Sequence, residues 1–133
     1  MYHEMSYRVP YADTDQMGVV YYANYLEYFE RSRTEMLRSI GLPYSEMEKQ
    51  GFYLPVRQVN VTYHSSARYD ELLTFRSWVS EAKGARLIIE SEVRRDDELL
   101  VSGTVMLCCV NKEHKVTRLP AVLLDAVKLL GKE

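Results

Sequence analysis

The chain has 133 residues, 47% hydrophobic and 27% charged, enough for one domain with a real core. No apolar run approaches the roughly 20 residues that span a bilayer, so membrane insertion is not expected. A formal net charge of −2 gives no field that would gather nucleic acid, and no block of like charge is long enough to act as a binding tail.

The opening residues, MYHEMSYRVPYADTD, show neither a basic start before an apolar core nor an Arg-rich amphipathic pattern. A cytoplasmic protein is therefore expected, with residues 1–133 forming a single domain. Residues 4–11, EMSYRVPY, suit a short strand that Pro10 confines to an edge or an exit into a loop. From Asn24, the residues Leu26, Phe29, Met36, Leu37 and Ile40 recur at helical spacing, and Gly41 followed by Pro43 stops the helix. Tyr25 and Tyr28 broaden its apolar surface, as burial by a wrapping sheet or a partner would require.

A second, short helix is expected over 44–50. Four strand-like segments follow: PVRQVNVTYHS, ELLTFRSWVSEA, RLIIESEVR and ELLVSGTVMLCCVN. Lys83-Gly84 signals a hairpin between the second and third, and RRDD a turn between the third and fourth. PAVLLDAVKLLG then has helical spacing and opens on Pro120, a residue favoured in a first helical turn. Cys108 and Cys109 are adjacent, so strand side chains there point to opposite faces and cannot bridge each other; buried thiols are expected. The order of elements is α+β, with the long helix packed across one face of a curved antiparallel sheet.

Candidate chemistry centres on YADTDQMGVVYYANY. Asp13 and Asp15 alternate across Thr14, and an extended segment would turn both the same way. The ordinary use of Asp before Gly and a helix is a cap or an Asx-turn, and Asp13 is assigned that role. Asp15 stands just upstream of a helix start, whose free amides can receive negative charge developing on a carbonyl oxygen. Spacing alone leaves it between a turn former and a catalytic acid.

Glu30 with Arg33 (i, i+3) and Arg31 with Glu35 (i, i+4) are expected to form helix-surface ion pairs. Glu30 could also be partly buried against an arginine. His3, His64 and His114 have no metal-ligand spacing and are expected on strands or the surface. No Ser-His-Asp relay is evident.

The stretch from Tyr11 to Arg38 resembles the signature of the hotdog-fold acyl-CoA thioesterases of the 4-hydroxybenzoyl-CoA thioesterase family, especially its Tol-Pal-associated branch. The resemblance is carried by Asp13, Asp15, Gly18, Val19, Val20, Tyr21, Asn24, Tyr25, Phe29, Glu30 and Arg33, with weaker agreement as far as Leu119-Pro120. It implies a five-stranded antiparallel sheet wrapped around one long central helix, with a short C-terminal helix, and assembly as a homodimer or homotetramer. It further implies hydrolysis of an acyl-CoA thioester to free acid and CoA. Asp15 matches the family's catalytic aspartate, acting as nucleophile or general base.

The backbone amide at Tyr22 falls where the family polarises the thioester carbonyl, and Gly18 and Val19 lie in the substrate loop. The branch usually has His at the Tyr22 position, so a His-assisted mechanism there is excluded. His64 follows a strand that in the family reaches a partner's active site. Lys83 and Arg86 lead the candidates for CoA contacts, ahead of Arg57, Arg68 and Arg118, because the corresponding hairpin makes such contacts in the family. No cofactor is implied. A thioester lacks amide resonance and has a good leaving group, so one carboxylate and one oriented amide are sufficient. The alternative is a non-catalytic module binding acyl thioesters or an acyl carrier protein. A hotdog dehydratase would need a His with an acid at this motif, which has none.

Overall fold

A computed structural model describes residues 1–131. Five strands form one antiparallel sheet in the order β1-β3-β4-β5-β2: β1 (His3–Arg8), β2 (Val56–Tyr63), β3 (Leu72–Lys83), β4 (Arg86–Arg95) and β5 (Glu98–Cys108). The long helix α1 (Asn24–Ser39) packs on one face against β1, β3 and β4, and α2 (Tyr44–Lys49) and α3 (Ala121–Ala126) cover the remaining core. This is the expected hotdog arrangement.

What brings α1 close to the sheet is a row of small residues running across three strands. Ser77, Ser91 and Gly103 are paired neighbours on β3, β4 and β5. Ser32 of α1 shares a hydrogen bond of 2.5 Å with Ser77, which is 2.8 Å from Ser91, and all three serines are buried. Each hydroxyl thereby satisfies another in a dry interface, where an unpaired one would be costly. Beside them the Phe29 ring occupies the space over Gly103 that a Cβ would take.

The core falls into two clusters. One, near the β3–β4 hairpin, joins Met36 and Leu37 to Leu87, Ile89, Leu107 and the short helices. The other joins Tyr25, Tyr28 and Phe29 to Val9, Val20, Leu73, Phe75 and Val101. The motif loop is anchored to this second cluster through Val20.

Beyond shifts of one or two residues at strand and helix ends, the boundaries differ from the sequence expectation at three places. β1 ends at Arg8, and Tyr11–Asp13 forms a 3-10 turn, because Pro10 has no N–H to continue a ladder. β5 ends at Cys108, after which Val110 makes isolated bridges to Tyr53 and Val116. The C-terminal helix stops at Ala126 and tightens into a 3-10 turn, Val127–Leu129. The predicted hairpin is present as a two-residue turn with Gly84 at φ 62°, a conformation that glycine adopts without strain. Cys109 is buried, Cys108 is half-buried, and both are free thiols.

Candidate active site

The two aspartates of the motif lie in different environments. Asp13 closes the 3-10 turn, and its backbone carbonyl accepts the Tyr21 N–H at 2.9 Å. Thr14 bridges Val20, and the Asp15 N–H donates to the Val19 carbonyl at 2.9 Å. Residues 13–21 are thus a small hairpin whose turn is completed by Gly18 at φ 77°, where a β-carbon would be strained. The hairpin is fixed to the rest of the chain by the Val20 N–H donating to the Ala67 carbonyl at 2.8 Å.

Side chains reverse part of the expectation for the acids. The Asx-turn assigned to Asp13 belongs to Asp15, whose Oδ1 accepts the Met17 N–H at 2.9 Å. Asp13 Oδ2 instead accepts the hydroxyls of Tyr28 at 2.7 Å and Tyr7 at 3.3 Å. A carboxylate tied to the helix and to β1 fixes the loop more firmly than a local turn would. Burial, reinforced by the Asp13 charge, raises both phenols above their ordinary range, so they remain O–H donors. Tyr28→Phe is expected to cost about 1.5–3 kcal/mol, the worth of a hydrogen bond to a charged group; urea unfolding of wild type and variant measures it.

The turn engages Asp15 only in part. It is half-exposed, and its Oδ2 takes no hydrogen bond among the described residues. The chain then turns into α1, whose N-cap is Ala23 with no side-chain cap. Asn24 N–H donates to the Tyr21 carbonyl, whereas the amides of Tyr22 and Ala23 have no acceptor among the described residues. Tyr63, from the end of β2, donates its hydroxyl to the Tyr22 carbonyl at 3.0 Å. That bond fixes the peptide following Tyr22, while Tyr22 is 63% exposed and its ring packs edge-on against Tyr63. Uncapped amides at the positive end of a helix suit a carbonyl oxygen that gains negative charge.

Gly18 is exposed and Val19 half-buried beside this turn. Lys83 and Arg86 are elsewhere. They flank the β3–β4 hairpin, and β3 runs from Leu72 near the motif loop to Lys83, roughly 35 Å at about 3.3 Å per residue. There they line a cleft of about 460 Å³ with Arg57, and Arg86 is paired with Glu81. Within one chain, this basic cluster and Asp15 stand at opposite ends of the sheet. Arg68 bridges Val19 through its backbone, and Arg118 is exposed. Among the described residues, no three His, Cys, Asp or Glu side chains gather as a metal site.

The helix ion pairs are also rearranged. Arg31 pairs with Glu27 at 2.8 Å and Arg38 with Glu35 at 3.4 Å. Glu30 is exposed, and Arg33 is the buried residue of that pair, forming no ion pair with it. The spacing was right for a helix but did not reveal which face the sheet covers. Tyr7, Tyr28 and Tyr63, which position the loop, were missed as individuals. Their only sequence signal was the abundance of tyrosine, a side chain whose ring packs in a core while its hydroxyl seeks a polar partner.

Residues 9–127 match the family described as the thioesterase-like superfamily. The chain is 40% identical over 105 residues to the acyl-CoA thioesterase YbgC of Haemophilus influenzae, covering 78% of this chain and 77% of that one. It is 34% identical over 105 residues to the acyl-CoA thioester hydrolase YbgC of Escherichia coli, covering 78% of each. A solved structure of the DHNA-CoA thioesterase of Staphylococcus aureus superposes with a TM-score of 0.86 at 33% identity, covering 93% of this chain and 85% of that one.

Proposed function

The chain belongs to the thioesterase-like superfamily, and on that basis we propose that it hydrolyses acyl-CoA thioesters to the free acid and CoA. The observation that carries the site assignment is an Asp15 oxygen without a hydrogen-bond partner in the hairpin, followed directly after the hairpin by the uncapped Tyr22 and Ala23 amides. The thioester oxygen accepts the Tyr22 N–H. Asp15 either attacks the carbonyl carbon or takes a proton from a water that does so. The new C–O bond forms as the C–S bond breaks, and the thiolate leaves to be protonated as CoA; where Asp15 is the nucleophile, water then hydrolyses the acyl-aspartyl anhydride, releasing the free acid and restoring the carboxylate. Gly18 and Val19 border the acyl entry.

Assembly as a homodimer, or as a homotetramer built from such dimers, is part of this reading. β2 is an edge strand, and Val56, Val59 and Tyr63 on it are exposed, as is Leu26 of α1, which its own sheet does not cover and a second copy would. Antiparallel pairing of two β2 edges about a two-fold axis would bring the Arg57 end of one strand beside the Tyr63 end of the other. Lys83 and Arg86 would then serve the CoA phosphates of the partner's site, which resolves their distance from Asp15. Sedimentation of the intact protein should give two or four copies per particle; a monomer at working concentrations would remove this route for them.

No helix among the described residues is long and apolar enough to cross a membrane. A cytoplasmic location, where acyl-CoA is available, goes with this reading, and an acyl carrier protein is the other carrier of such thioesters. The test is a panel of short, long, branched and aromatic acyl-CoAs, together with acyl-carrier thioesters, read for both released thiol and free acid. At least one should turn over. Binding throughout with no acid release would replace the hydrolase by a binding module.

A further inference from the structure

Arg33 is 7% exposed on α1, between the core residues Phe29 and Leu37, where helical spacing calls for an apolar side chain. Its Nε has no hydrogen-bond partner, and no carboxylate among the described residues forms an ion pair with it. A buried guanidinium without a counter-charge is costly, and proteins rarely keep one without a use. Arg33 lines a cleft of about 510 Å³, within the range of about 300–1,000 Å³ typical of small-molecule sites.

The walls of the cleft define what fits. Its half-buried lining is Thr34, Tyr44, Tyr53, Leu54 and Val110, two aromatic rings and aliphatic surface around one cation. The Tyr44 hydroxyl lies beside the guanidinium, and burial raises this phenol above its ordinary value, so it stays a neutral donor. Glu30 and Glu48, both exposed on the same cleft, disfavour a phosphate or any polyanion more than a ligand with a single negative charge.

We propose that this cleft binds a small monocarboxylate with an aromatic or branched apolar body, its carboxylate seated on Arg33 and Tyr44. Arg33 is nine residues beyond Asn24, about 14 Å along the helix at about 1.5 Å per residue, which separates it from the α1 start. The acyl end of the substrate is an uncharged thioester group that offers Arg33 no charge, whereas the acyl end of the free acid is a carboxylate. That the ligand is the product of the reaction rests on the hydrolase reading; that a carboxylate binds does not.

The probes are 2-naphthoate and its neutral analogue 2-naphthamide, titrated calorimetrically into the intact protein. Naphthoate should bind at least tenfold more tightly than naphthamide. Arg33→Met should abolish the preference and raise Tm, because an apolar chain of similar length replaces an uncompensated charge; an arginine that served structure would lower it. Arg33→Gln, which keeps a hydrogen-bonding group without the charge, should weaken naphthoate at least tenfold. Asp15→Asn should bind naphthoate as wild type does, so failure of hydrolysis leaves this result readable. Equal affinity for the two probes, wild-type naphthoate binding in both Arg33 variants, or tighter binding in Asp15→Asn, which would put the acid at the motif loop, overturns the proposal.

Discussion

Asp15→Asn is expected to lower kcat about a thousandfold or more, equivalent to about 4 kcal/mol of lost transition-state stabilisation, while substrate binding changes little. The fold should survive because the amide oxygen of Asn can still accept the Met17 N–H that Asp15 Oδ1 accepts at 2.9 Å. What Asn cannot do is attack a carbonyl or take a proton from water. Asp15→Ala removes the Asx-turn as well, so it should lose the same activity and in addition loosen the loop. The contrast between the two variants separates chemistry from scaffolding at one position.

Gly103→Ala should be the most damaging single-methyl change in the sheet. A Cβ there would sit 2.7 Å from Phe29 Cζ and closer still to Cε2. Phe29 is 1% exposed, and the neighbouring row of Ser32, Ser77 and Ser91 ties the same stretch of α1 to β3 and β4. Neither side can yield without lifting the helix from the sheet. Overpacking of this kind costs about 1–3 kcal/mol, occasionally more, and the rigid ring argues for the upper end. A fall in Tm of about 10 °C, measured by calorimetry, is the corresponding shift. Adding Phe29→Leu should restore part of it, since the smaller side chain vacates the space, and the two changes should be strongly non-additive.

The elements that repeat a pattern were readable in the sequence. Asn24–Ser39, the Gly84 turn and five alternating strands follow from spacing and punctuation that local physics enforces. The packing that gives those elements meaning was not. Nothing in the spacing of Ser32, Ser77, Ser91 and Gly103 reveals that they meet in one row, since their contacts join residues as far as 45 positions apart. Asp13 shows the same limit. Its local context suggested a turn, yet its carboxylate is held by Tyr7 and Tyr28 from two other elements.

The motif points to Asp15 and the Tyr22 amide as the site, and the structure adds the hairpin that fixes Asp15 and the Tyr63 bond that holds the Tyr22 carbonyl. Arg33 was read as a surface partner of Glu30 because i, i+3 spacing is blind to which side of a helix the sheet covers. Lys83 and Arg86 illustrate a limit of another kind: their end of the sheet is remote from Asp15 in one chain, so the proposed part in CoA binding requires a second.

The most direct measurement of the central claim is a single turnover with enzyme in excess over an acyl-CoA identified as a substrate, comparing wild type with Asp15→Asn. Wild type should convert the bound thioester to one equivalent each of acid and CoA, while Asp15→Asn holds it intact over the same interval. Acid formed by Asp15→Asn at the wild-type rate would contradict the assignment of the chemistry to this residue.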